Sequence, residues 1–439
     1  MAPLLFGLLV LMASTPGTAA SSPLSKTEQR LVAAVDEHAA GSLALLEQVV
    51  NMNSGTMNFA GVRAVGAIFR TEFEGLGFTV RWVDGNAFNR AGHLVAERKS
   101  AKAGAPKVLL IGHLDTVFEK DSPFQRFETL PGSPARAKGP GVNDMKGGDV
   151  IMLLALRALR DAGELDRLSV TAVLMGDEED SGTPLSLARA DLVAAAEHAD
   201  VALGFEDGDG KFENAVISRR SASGWTLKVT GRPAHSSQIF VEGYGDGAIY
   251  EMARILDGFR RELSSEPYLT FNPGVAIGGT AVDFDATELR GTVAGKNNVI
   301  AQGAVVTGDL RTLSPEQHDM AVKKMRAIAD AHLPQTSAEL VFDEGYPPMA
   351  PTEGNHRLLA LFDQASRDLG MGEVRPVDPR DAGAADISFI ATRVPMALDA
   401  LGLKGTGGHT VDETADLSTL APQAKRVALL LSRLRSGSK

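Results

Sequence analysis

The sequence predicts an α/β protein in which a mixed, mainly parallel sheet is flanked by helices and a second, α+β module is inserted. In the first part of the chain, apolar runs typical of buried parallel strands alternate with helical patterns. Residues 218–346 instead contain strands that alternate apolar and polar residues, and the earlier helical pattern then resumes. We therefore expect one domain over residues 26–217 and 347–439, interrupted by the inserted module.

Individual elements follow from the spacing of apolar residues, which is three or four in helices and two in half-buried strands. Helices are predicted at residues 27–48, 62–76, 150–159, 246–263, 315–331, 358–369 and 420–434. Strands are predicted at residues 77–83, 93–97, 108–111, 168–175, 201–205 and 222–230. The first domain thus begins with two helices and three strands.

The composition is that of a globular protein, with 44% apolar and 23% charged residues among 439. A net charge of −11 and the lack of a long basic cluster argue against nucleic acid as a partner. Because the chain has no cysteine, it has neither disulfide bonds nor thiolate metal ligands. A bound metal would depend on histidine and carboxylate side chains.

Residues 1–20 are predicted to be a secretory signal peptide. Pro3 to Ala13 form a short apolar block, and Thr18 and Ala20 fit a small-x-small cleavage site. An uncleaved anchor is the alternative, although this block is too short to span a bilayer. We expect a periplasmic or secreted protein with no membrane association after cleavage.

A histidine and an acid stand two residues apart where the strand at 108–111 ends, in Gly112-His113-Leu114-Asp115. Side chains two apart in an extended segment point the same way, so Asp115 can hold the imidazole of His113 in one tautomer. This pattern is typical of a metal ligand with its supporting acid. On these residues alone, a buried histidine capped by a nearby acid is an equal alternative.

Acidic residues also follow two further apolar strands and precede one helix. Glu178 and Glu179 lie in an acidic loop after the strand at 168–175. Glu206 follows the next strand, and Asp144 precedes a helix within a glycine-rich turn. Each of these acids alone fits a solvated loop or a helix cap. Their recurrence at the same end of successive parallel strands indicates shared metal coordination.

With one late histidine on a glycine-rich turn, the chain offers two imidazoles and three carboxylates as ligands, namely His113, Asp144, Glu179, Glu206 and His409. Two zinc-like ions bridged by one carboxylate need about that set. Asp144 is the predicted bridge because the glycines around it let it reach both ions. Glu178 is left over and can take a proton from the attacking water. Hydrolysis of an amide is the reaction that this set indicates.

These motifs, in this order, resemble a known family. They are His113-Leu114-Asp115, Asn143-Asp144-Met145-Lys146-Gly147-Gly148, Asp177-Glu178-Glu179, Phe205-Glu206 and Gly408-His409. The family is that of di-zinc metallopeptidases and amidohydrolases, which includes bacterial glutamate carboxypeptidases, aminoacylases, carnosinases and succinyl-diaminopimelate desuccinylases. The resemblance implies a zinc-peptidase-like catalytic domain with two Zn²⁺ ions, for which Co²⁺ or Mn²⁺ can substitute.

The resemblance also implies a role for each residue of the centre. His113 and Glu206 would hold one zinc ion, and Glu179 and His409 the other. Asp144 would bridge the two ions, with Glu178 as the general base.

The resemblance further implies that the module at 218–346 is a lid and dimerisation domain, and that the protein is a homodimer. In the lid, His235 of Gly231-Arg232-Pro233-Ala234-His235-Ser236 is similar to a histidine that reaches a neighbouring subunit's active site and stabilises the oxyanion. Asn298 resembles an asparagine that touches substrate, and Gly405 is a further substrate-binding candidate in the last glycine-rich loop. Taken alone, His235 and Asn298 are ordinary turn residues.

One departure from the family concerns specificity. Glutamate carboxypeptidases carry Arg-Gly-Arg-Pro where the lid returns, and the second arginine grips the substrate carboxylate. The corresponding residues here are Glu344-Gly345-Tyr346-Pro347, which argues against a preference for C-terminal glutamate. Arg311 is another candidate cation for the substrate, with a structural ion pair as its alternative.

The predicted function is metal-dependent hydrolysis of an amide or peptide bond next to a free amino-acid carboxylate, as in a carboxypeptidase or dipeptidase. The substrate would be a small peptide or an N-acyl amino acid. An N-acyl-amino-acid deacylase with the same metals is the alternative among enzymes. Outside enzymes, an inactive peptide-binding protein would require lost ligands or a lost base, and all of them are present.

Overall fold

A computed structural model describes residues 23–286 and 288–434, so the predicted signal peptide lies outside the described residues. The helices are α1 Lys26–Val50, α2 Phe59–Gly75, α3 Lys146–Asp161, α4 Leu185–Ala188, α5 Ala190–Ala196, α6 Ala248–Leu263, α7 Pro315–Asp330, α8 Glu353–Asp368 and α9 Leu420–Arg433. The strands are β1 Thr79–Asp84, β2 Gly92–Arg98, β3 Lys107–His113, β4 Glu128–Leu130, β5 Ser133–Lys138, β6 Ser169–Met175, β7 Val201–Gly204, β8 Asn214–Ala215, β9 Ser223–Gly231, β10 Thr270–Gly279, β11 Ala281–Asp285, β12 Arg290–Ala294, β13 Gly303–Arg311, β14 Thr336–Phe342, β15 Arg375–Pro376, β16 Met396–Leu398, β17 Gly405–Thr406 and β18 Thr414–Asp416. Within these described ranges, no helix has both the length and the apolar character needed to cross a bilayer.

Each of the predicted helices is present, and side-chain caps explain where two of them begin. Ser25 and Glu28 form a capping box at the start of α1. Thr352 accepts the amide hydrogen of Asn355, so α8 begins earlier than its apolar spacing predicts. The polar capping residues therefore set the helix ends, while apolar spacing sets the buried faces.

The centre of the first domain is a six-stranded sheet with the order β1-β2-β6-β3-β7-β16. β6, β3, β7 and β16 run parallel to one another, and β2 is antiparallel to both of its neighbours. The prediction of a mixed, mainly parallel sheet flanked by helices is confirmed. Because β3 lies between β6 and β7, the carboxyl ends of these three strands meet at one edge of the sheet.

The apolar run of β3 is buried on both faces of this sheet. Val108 and Leu110 belong to a hydrophobic core with α1, α3 and α9, whereas Leu109 and Ile111 belong to a second core that includes residues of α5. Burial on both sides explains why this run is continuously apolar instead of alternating. Fully burying each of these aliphatic side chains contributes about 1.5–3 kcal/mol.

A small sheet with the order β17-β18-β5-β4 joins the end of the chain to the segment before α3. The pairing of β18 with β5 places Ala415 opposite Ala137. The turn between β17 and β18, which contains His409, therefore lies beside the loop that leads into α3. The apolar patterns of the sequence do not predict these short strands.

The inserted module, which we call the lid after its expected role, contains its own antiparallel sheet, with the order β10-β13-β9-β14. α6 and α7 pack on this sheet through a separate hydrophobic core that includes Trp225, Phe259 and Met325. β11 and β12 form a hairpin of two strands that continues from β10. The inserted module is thus built on a core of its own.

Two chain segments connect the lid to the first domain and run side by side in opposite directions. Arg219 and Met349 exchange main-chain hydrogen bonds of 2.9 Å in both directions, and so do Ala222 and Tyr346. We call residues 219–222 and 346–349 the stalk of the lid. The stalk therefore has the hydrogen bonding of a short antiparallel ladder.

Close packing requires glycine at position 148, in the first turn of α3. A Cβ atom there would lie 1.9 Å from the main-chain oxygen of Phe205, just beyond β7. Gly148→Ala should therefore lower the free energy of unfolding by roughly 1–3 kcal/mol, as measured by chemical denaturation. Gly41→Ala in α1 is the matched control, because nothing lies within 4 Å of the added Cβ, and it should stabilise by about 0.5–1 kcal/mol. Equal effects of the two substitutions would contradict this packing argument.

Candidate metal centre

The ends of three neighbouring strands position most of the predicted ligands. His113 is the last residue of β3, Glu178 and Glu179 follow β6, and Glu206 follows β7. Since these strands are parallel neighbours, the side chains share one edge of the sheet, where α/β proteins usually place their active sites. Asp144 joins them from the turn that precedes α3.

The carboxylate of Asp144 lies between two imidazoles. Its Oδ1 is 3.2 Å from Nε2 of His113, and its Oδ2 is 3.1 Å from Nε2 of His409. Oε1 of Glu206 is 3.7 Å from the same nitrogen of His113, and Oε2 of Glu179 is 3.0 Å from Nε2 of His409. The five predicted ligands thus form two groups that share Asp144.

This set of donor atoms fits two zinc ions in chemistry and in spacing. Zinc binds imidazole nitrogen and carboxylate oxygen at about 2.0–2.2 Å, so two atoms that share one ion stand roughly 3.3 Å apart. The imidazole-to-carboxylate distances of 3.0, 3.1, 3.2 and 3.7 Å match that separation. Donor atoms of His113, Asp144 and Glu179 also lie within 4.8 Å of one another. A pair of divalent ions is therefore compatible with the residues present.

Burying this group of charged carboxylates without a cation costs free energy. Burial raises the pKa of Glu206 and of Glu179, and the charge of Asp144 raises both further. Burial also acts to raise the pKa of Asp144, but hydrogen bonds from His113 and His409 outweigh it and hold that pKa well below its ordinary value. Hydrogen bonds to Asp144 and Glu179 raise the pKa of His409 to about 11. Bound cations would take over the role of these imidazole protons.

Asp115 supports both His113 and the loop that carries Glu178. Nδ1 of His113 is 3.1 Å from the main-chain oxygen of Asp115 and 3.5 Å from its Oδ1, which leaves Nε2 facing Asp144. The Asp115 carboxylate also accepts the amide hydrogens of Glu178 and Glu179, each at 3.1 Å. Asp115 therefore connects the orientation of one predicted ligand, His113, to the position of the loop that carries Glu178.

Glu413 is a supporting residue that the sequence patterns do not identify. Its carboxylate accepts amide hydrogens from Gly141, Asn143 and Asp144, and so holds the turn that presents Asp144. Burial, together with the charge of Asp144, raises the pKa of Glu413 to about 8. Glu413 belongs to no recognisable motif, and the pairing of β18 with β5 brings it to this turn.

The last glycine-rich loop packs against the same turn. Gly405 lies in β17, where an added Cβ would be 2.9 Å from the Cβ of Asn143. Asn143 donates a hydrogen bond of 2.7 Å to the carboxylate of Asp207. The structure thus places Gly405 beside the Asp144 turn, and its role in substrate binding stays a prediction.

The lid brings His235 and Asn298 together. Ser236 donates its amide hydrogen to the main-chain oxygen of Asn298, and His235 pairs with Val299 in an isolated antiparallel β-bridge. Nδ1 of His235 is 2.9 Å from the hydroxyl of Ser237, so the described contacts of this ring lie within the lid. The roles of His235 and Asn298 in catalysis and substrate binding stay predictions.

Arg311 and Tyr346, the two residues that bear on recognition of the substrate carboxylate, both contact other residues of the chain. Arg311 forms an ion pair of 3.0 Å with Asp309 on its own strand, which is the structural alternative to a substrate contact. The hydroxyl of Tyr346 donates a hydrogen bond of 2.8 Å to the main-chain oxygen of Glu178. The sequence marks Tyr346 only as a departure from the family pattern, and its contact with Glu178 is a finding of the structure.

A di-metal donor set at the carboxyl edge of a mainly parallel sheet, with a further glutamate beside it, defines a metal-dependent hydrolase. The chain belongs to Peptidase family M20/M25/M40, whose model matches residues 109–433, and it is a metal-dependent peptidase of that family. The resemblance drawn from the five motifs is confirmed.

Known relatives extend over nearly the whole chain. Carboxypeptidase G2 of Pseudomonas sp. (strain RS-16) is 26% identical over 416 residues, which covers 92% of each chain. A tripeptidase structure from Staphylococcus aureus subsp. aureus mu50 has a TM-score of 0.67 at 20% identity and covers 93% of this chain and 99% of that one. A dinuclear metal-binding M20 peptidase from Bacillus subtilis has a TM-score of 0.62 at 15% identity, and the match covers 90% of this chain and 98% of that one. The two structures show that the fold is shared.

Zinc uptake by the chelator-treated protein should release protons and become tighter as pH rises. With a pKa of about 11, His409 is protonated at neutral pH in the metal-free protein, and a metal binds only neutral imidazole. The proton must therefore leave, and removing it becomes easier as pH increases. Calorimetric titration with Zn²⁺ in buffers of different ionisation enthalpy measures the number of protons released.

His409→Ala is the control for this titration and should release fewer protons than the wild-type protein. Bound metal should also raise the Tm, because the folded chain holds the ligands together and the unfolded chain does not. Binding that is independent of pH, or a Tm that chelator leaves unchanged, would count against a metal centre formed by these residues.

Proposed function

We propose that this chain hydrolyses an amide or peptide bond next to a free amino-acid carboxylate, as a carboxypeptidase or dipeptidase does, with two Zn²⁺ ions. One observation carries the proposal. Asp144 is shared between two pairs of histidine and glutamate, and Glu178, the residue before Glu179, belongs to neither pair. The similarity to carboxypeptidase G2 over 92% of both chains supports this choice of reaction.

His113 and Glu206 would hold one ion, His409 and Glu179 would hold the other, and Asp144 would bridge them. When bound, such ions polarise the scissile carbonyl and lower the pKa of the attacking water. The side chain of His409 is 60% exposed, whereas that of His113 is 1% exposed. Substrate would therefore approach from the side of His409.

Glu178 would take a proton from the attacking water and pass it to the leaving nitrogen. Burial raises the pKa of its carboxyl, and the charge of Asp386 raises it further. A base with a raised pKa accepts a proton more readily than an ordinary carboxylate does. The amide of Glu178 donates a hydrogen bond to the carboxylate of Asp115, and its carbonyl accepts one from Tyr346. The main chain of Glu178 is therefore held at both its amide and its carbonyl.

The substrate class can be tested with a panel of dipeptides, N-acetyl amino acids and N-succinyl amino acids. Each member is paired with its C-terminal amide, which lacks the free carboxylate. The metal-loaded protein should cleave dipeptides with a free carboxylate and should cleave their amides poorly. Faster cleavage of the acyl amino acids would favour a deacylase, and no cleavage of any member would favour an inactive binding protein.

Glu178→Gln should lower kcat on the best substrate of this panel by about 10²–10⁴-fold, because the base is lost. Metal content should stay at two ions per chain, since all five ligands remain. Asp180→Asn is the matched control in the same loop, because Asp180 is exposed and paired with Arg90 at 2.8 Å, and this variant should keep its kcat. Loss of metal in Glu178→Gln would show that the base and ligand assignments are exchanged.

We further propose that two copies of this chain associate through the lid. Exposed apolar side chains of Phe240, Val241, Ile249 and Tyr250 lie there, and the rings of Phe240 and Tyr250 are 5.5 Å apart. These residues follow His235 closely in the chain. A second copy that covers this patch would remove apolar surface from water and would bring His235 towards the site of the neighbouring copy.

Co-expression of two variants tests whether His235 serves the neighbouring copy. His235→Ala and Glu178→Gln should each be nearly inactive as pure dimers. A mixed dimer pairs the intact His235 of one copy with the intact Glu178 of the other, so activity should return. If His235 serves the site of its own copy, mixing restores nothing.

The patch itself can be tested by measuring molar mass in solution by light scattering. The double variant Phe240→Ser, Tyr250→Ser should be a monomer. Leu187→Ser is the control, because Leu187 is equally an exposed apolar residue but lies in α4 of the first domain, and it should leave the dimer intact. A dimer that persists in the double variant would contradict association through this patch.

For the location of the protein, we propose export with removal of residues 1–20. The short apolar block and the small residues Thr18 and Ala20 support cleavage near Ala20. Sequencing the amino terminus of the protein recovered from the periplasm or the medium would identify the cleavage point.

A further inference from the structure

A buried polar cluster that includes Asp386 and Tyr346 adjoins the loop that contains Glu178. Its centre is the guanidinium of Arg189, which is 1% exposed and lies 2.7 Å from a carboxylate oxygen of Asp177 and 2.7 Å from one of Asp386. Asp177 also accepts the amide hydrogen of Gly182 at 2.8 Å, which closes the loop that contains Glu178. Two buried carboxylates thus fix the position of one buried cation.

Tyr346 extends this cluster to the stalk of the lid. Arg189 donates a hydrogen bond of 3.0 Å to the hydroxyl of Tyr346. Because a guanidinium has only donors, the hydroxyl hydrogen stays available, and it is donated to the main-chain oxygen of Glu178 at 2.8 Å. The ring packs against Phe389 with 4.9 Å between centroids, so the side chain has a fixed orientation.

The main chain of Glu178 is therefore held by two different parts of the fold. Its amide donates to Asp115, which follows β3 in the catalytic domain. Its carbonyl accepts from Tyr346, whose own main chain pairs with Ala222 in the stalk. The stalk and the catalytic sheet thus meet at the residue proposed as the general base.

We propose that Tyr346 is a positioning residue, whose hydroxyl, oriented by Arg189, aligns Glu178 for proton transfer and links that alignment to the lid. The inference rests on the proposed role of Glu178. The guanidinium carbon Cζ of Arg189 lies 5.8 Å from the centroid of the Tyr346 ring, so an arginine at position 346 would bring a second guanidinium close to this buried cation.

Tyr346→Phe is the decisive variant, because it removes the hydroxyl and keeps the ring against Phe389. On the best substrate of the panel, kcat should fall roughly 10- to 100-fold, because a small displacement of a catalytic group is enough for such a loss. KM should change less than about twofold and two metal ions should remain bound, since neither the substrate contacts nor the ligands are altered. Tyr268→Phe is the matched control in the lid, where the tyrosine ring lies 5.2 Å from the guanidinium of Arg380, and it should leave kcat unchanged.

A second pair of variants shows whether the hydroxyl acts through Glu178. In Glu178→Asp the carboxylate is already displaced by one methylene group. Adding Tyr346→Phe to this variant should therefore lower kcat by a much smaller factor than it does in the wild-type protein. An equal loss in both backgrounds would mean that the hydroxyl acts elsewhere and would overturn the proposal. An unchanged kcat in Tyr346→Phe would overturn it directly.

Hydrogen exchange gives a readout that does not depend on activity. Amides of the segment 176–182 should exchange faster in Tyr346→Phe and at the wild-type rate in Tyr268→Phe. Unchanged exchange in Tyr346→Phe would overturn the positioning role, whatever the enzyme assay shows. Failure of the proposed function has a different signature, because the wild-type protein would then cleave nothing, or Glu178→Gln would keep its activity.

Discussion

The division of the Asp144 carboxylate between two imidazoles is the contact on which the rest of the centre depends. One oxygen faces His113 and the other faces His409, so a shift of this single side chain would disturb both halves of the site. The fold restrains it from two directions. Glu413 binds three amides of the turn, and Gly148 allows the first turn of α3 to lie against the main chain beyond β7. The glycines after Asp144 therefore serve close packing of the helix that follows, in addition to any freedom that they give to the turn.

The buried acids around the centre differ in their partners. That difference distinguishes the acids that stabilise the framework from those expected to bind metal. Asp177 is paired with Arg189 at 2.7 Å, and Asp399 is paired with Arg219 at 2.9 Å. A buried carboxylate that is paired with a guanidinium has a fixed position, and it belongs to the framework. Glu206 instead lies 3.7 Å from the imidazole of His113, and burial and the charge of Asp144 raise its pKa in spite of that neighbour. An acid in that state gains from a cation, which is the property expected of a ligand.

The five proposed ligands can be selected from the sequence because each follows a local signal, an apolar strand or a glycine-rich turn that ends in an acid or a histidine. The sequence does not reveal Glu413, whose role depends on a contact between segments 272 residues apart along the chain. The sheet that makes this contact contains strands of two and three residues, β17 and β18, which are too short to show any periodicity. The role of Arg189 is not predicted for a similar reason. A lone arginine between two short helices resembles a surface residue in the sequence, and only the fold places Asp177 and Asp386 around it.

The point of insertion explains how a separate domain can act on this centre. The chain leaves the catalytic domain after β7 and returns before α8 and β16, and β16 lies parallel beside β7 in the central sheet. The stalk therefore starts from the edge of the sheet that holds the proposed ligands. A lid attached there needs no long linker to cover the site. The same attachment places Tyr346 against Glu178, so a rotation of the lid about its stalk would move the proposed base through one hydrogen bond. An insertion at the opposite edge of the sheet would leave the lid without this connection.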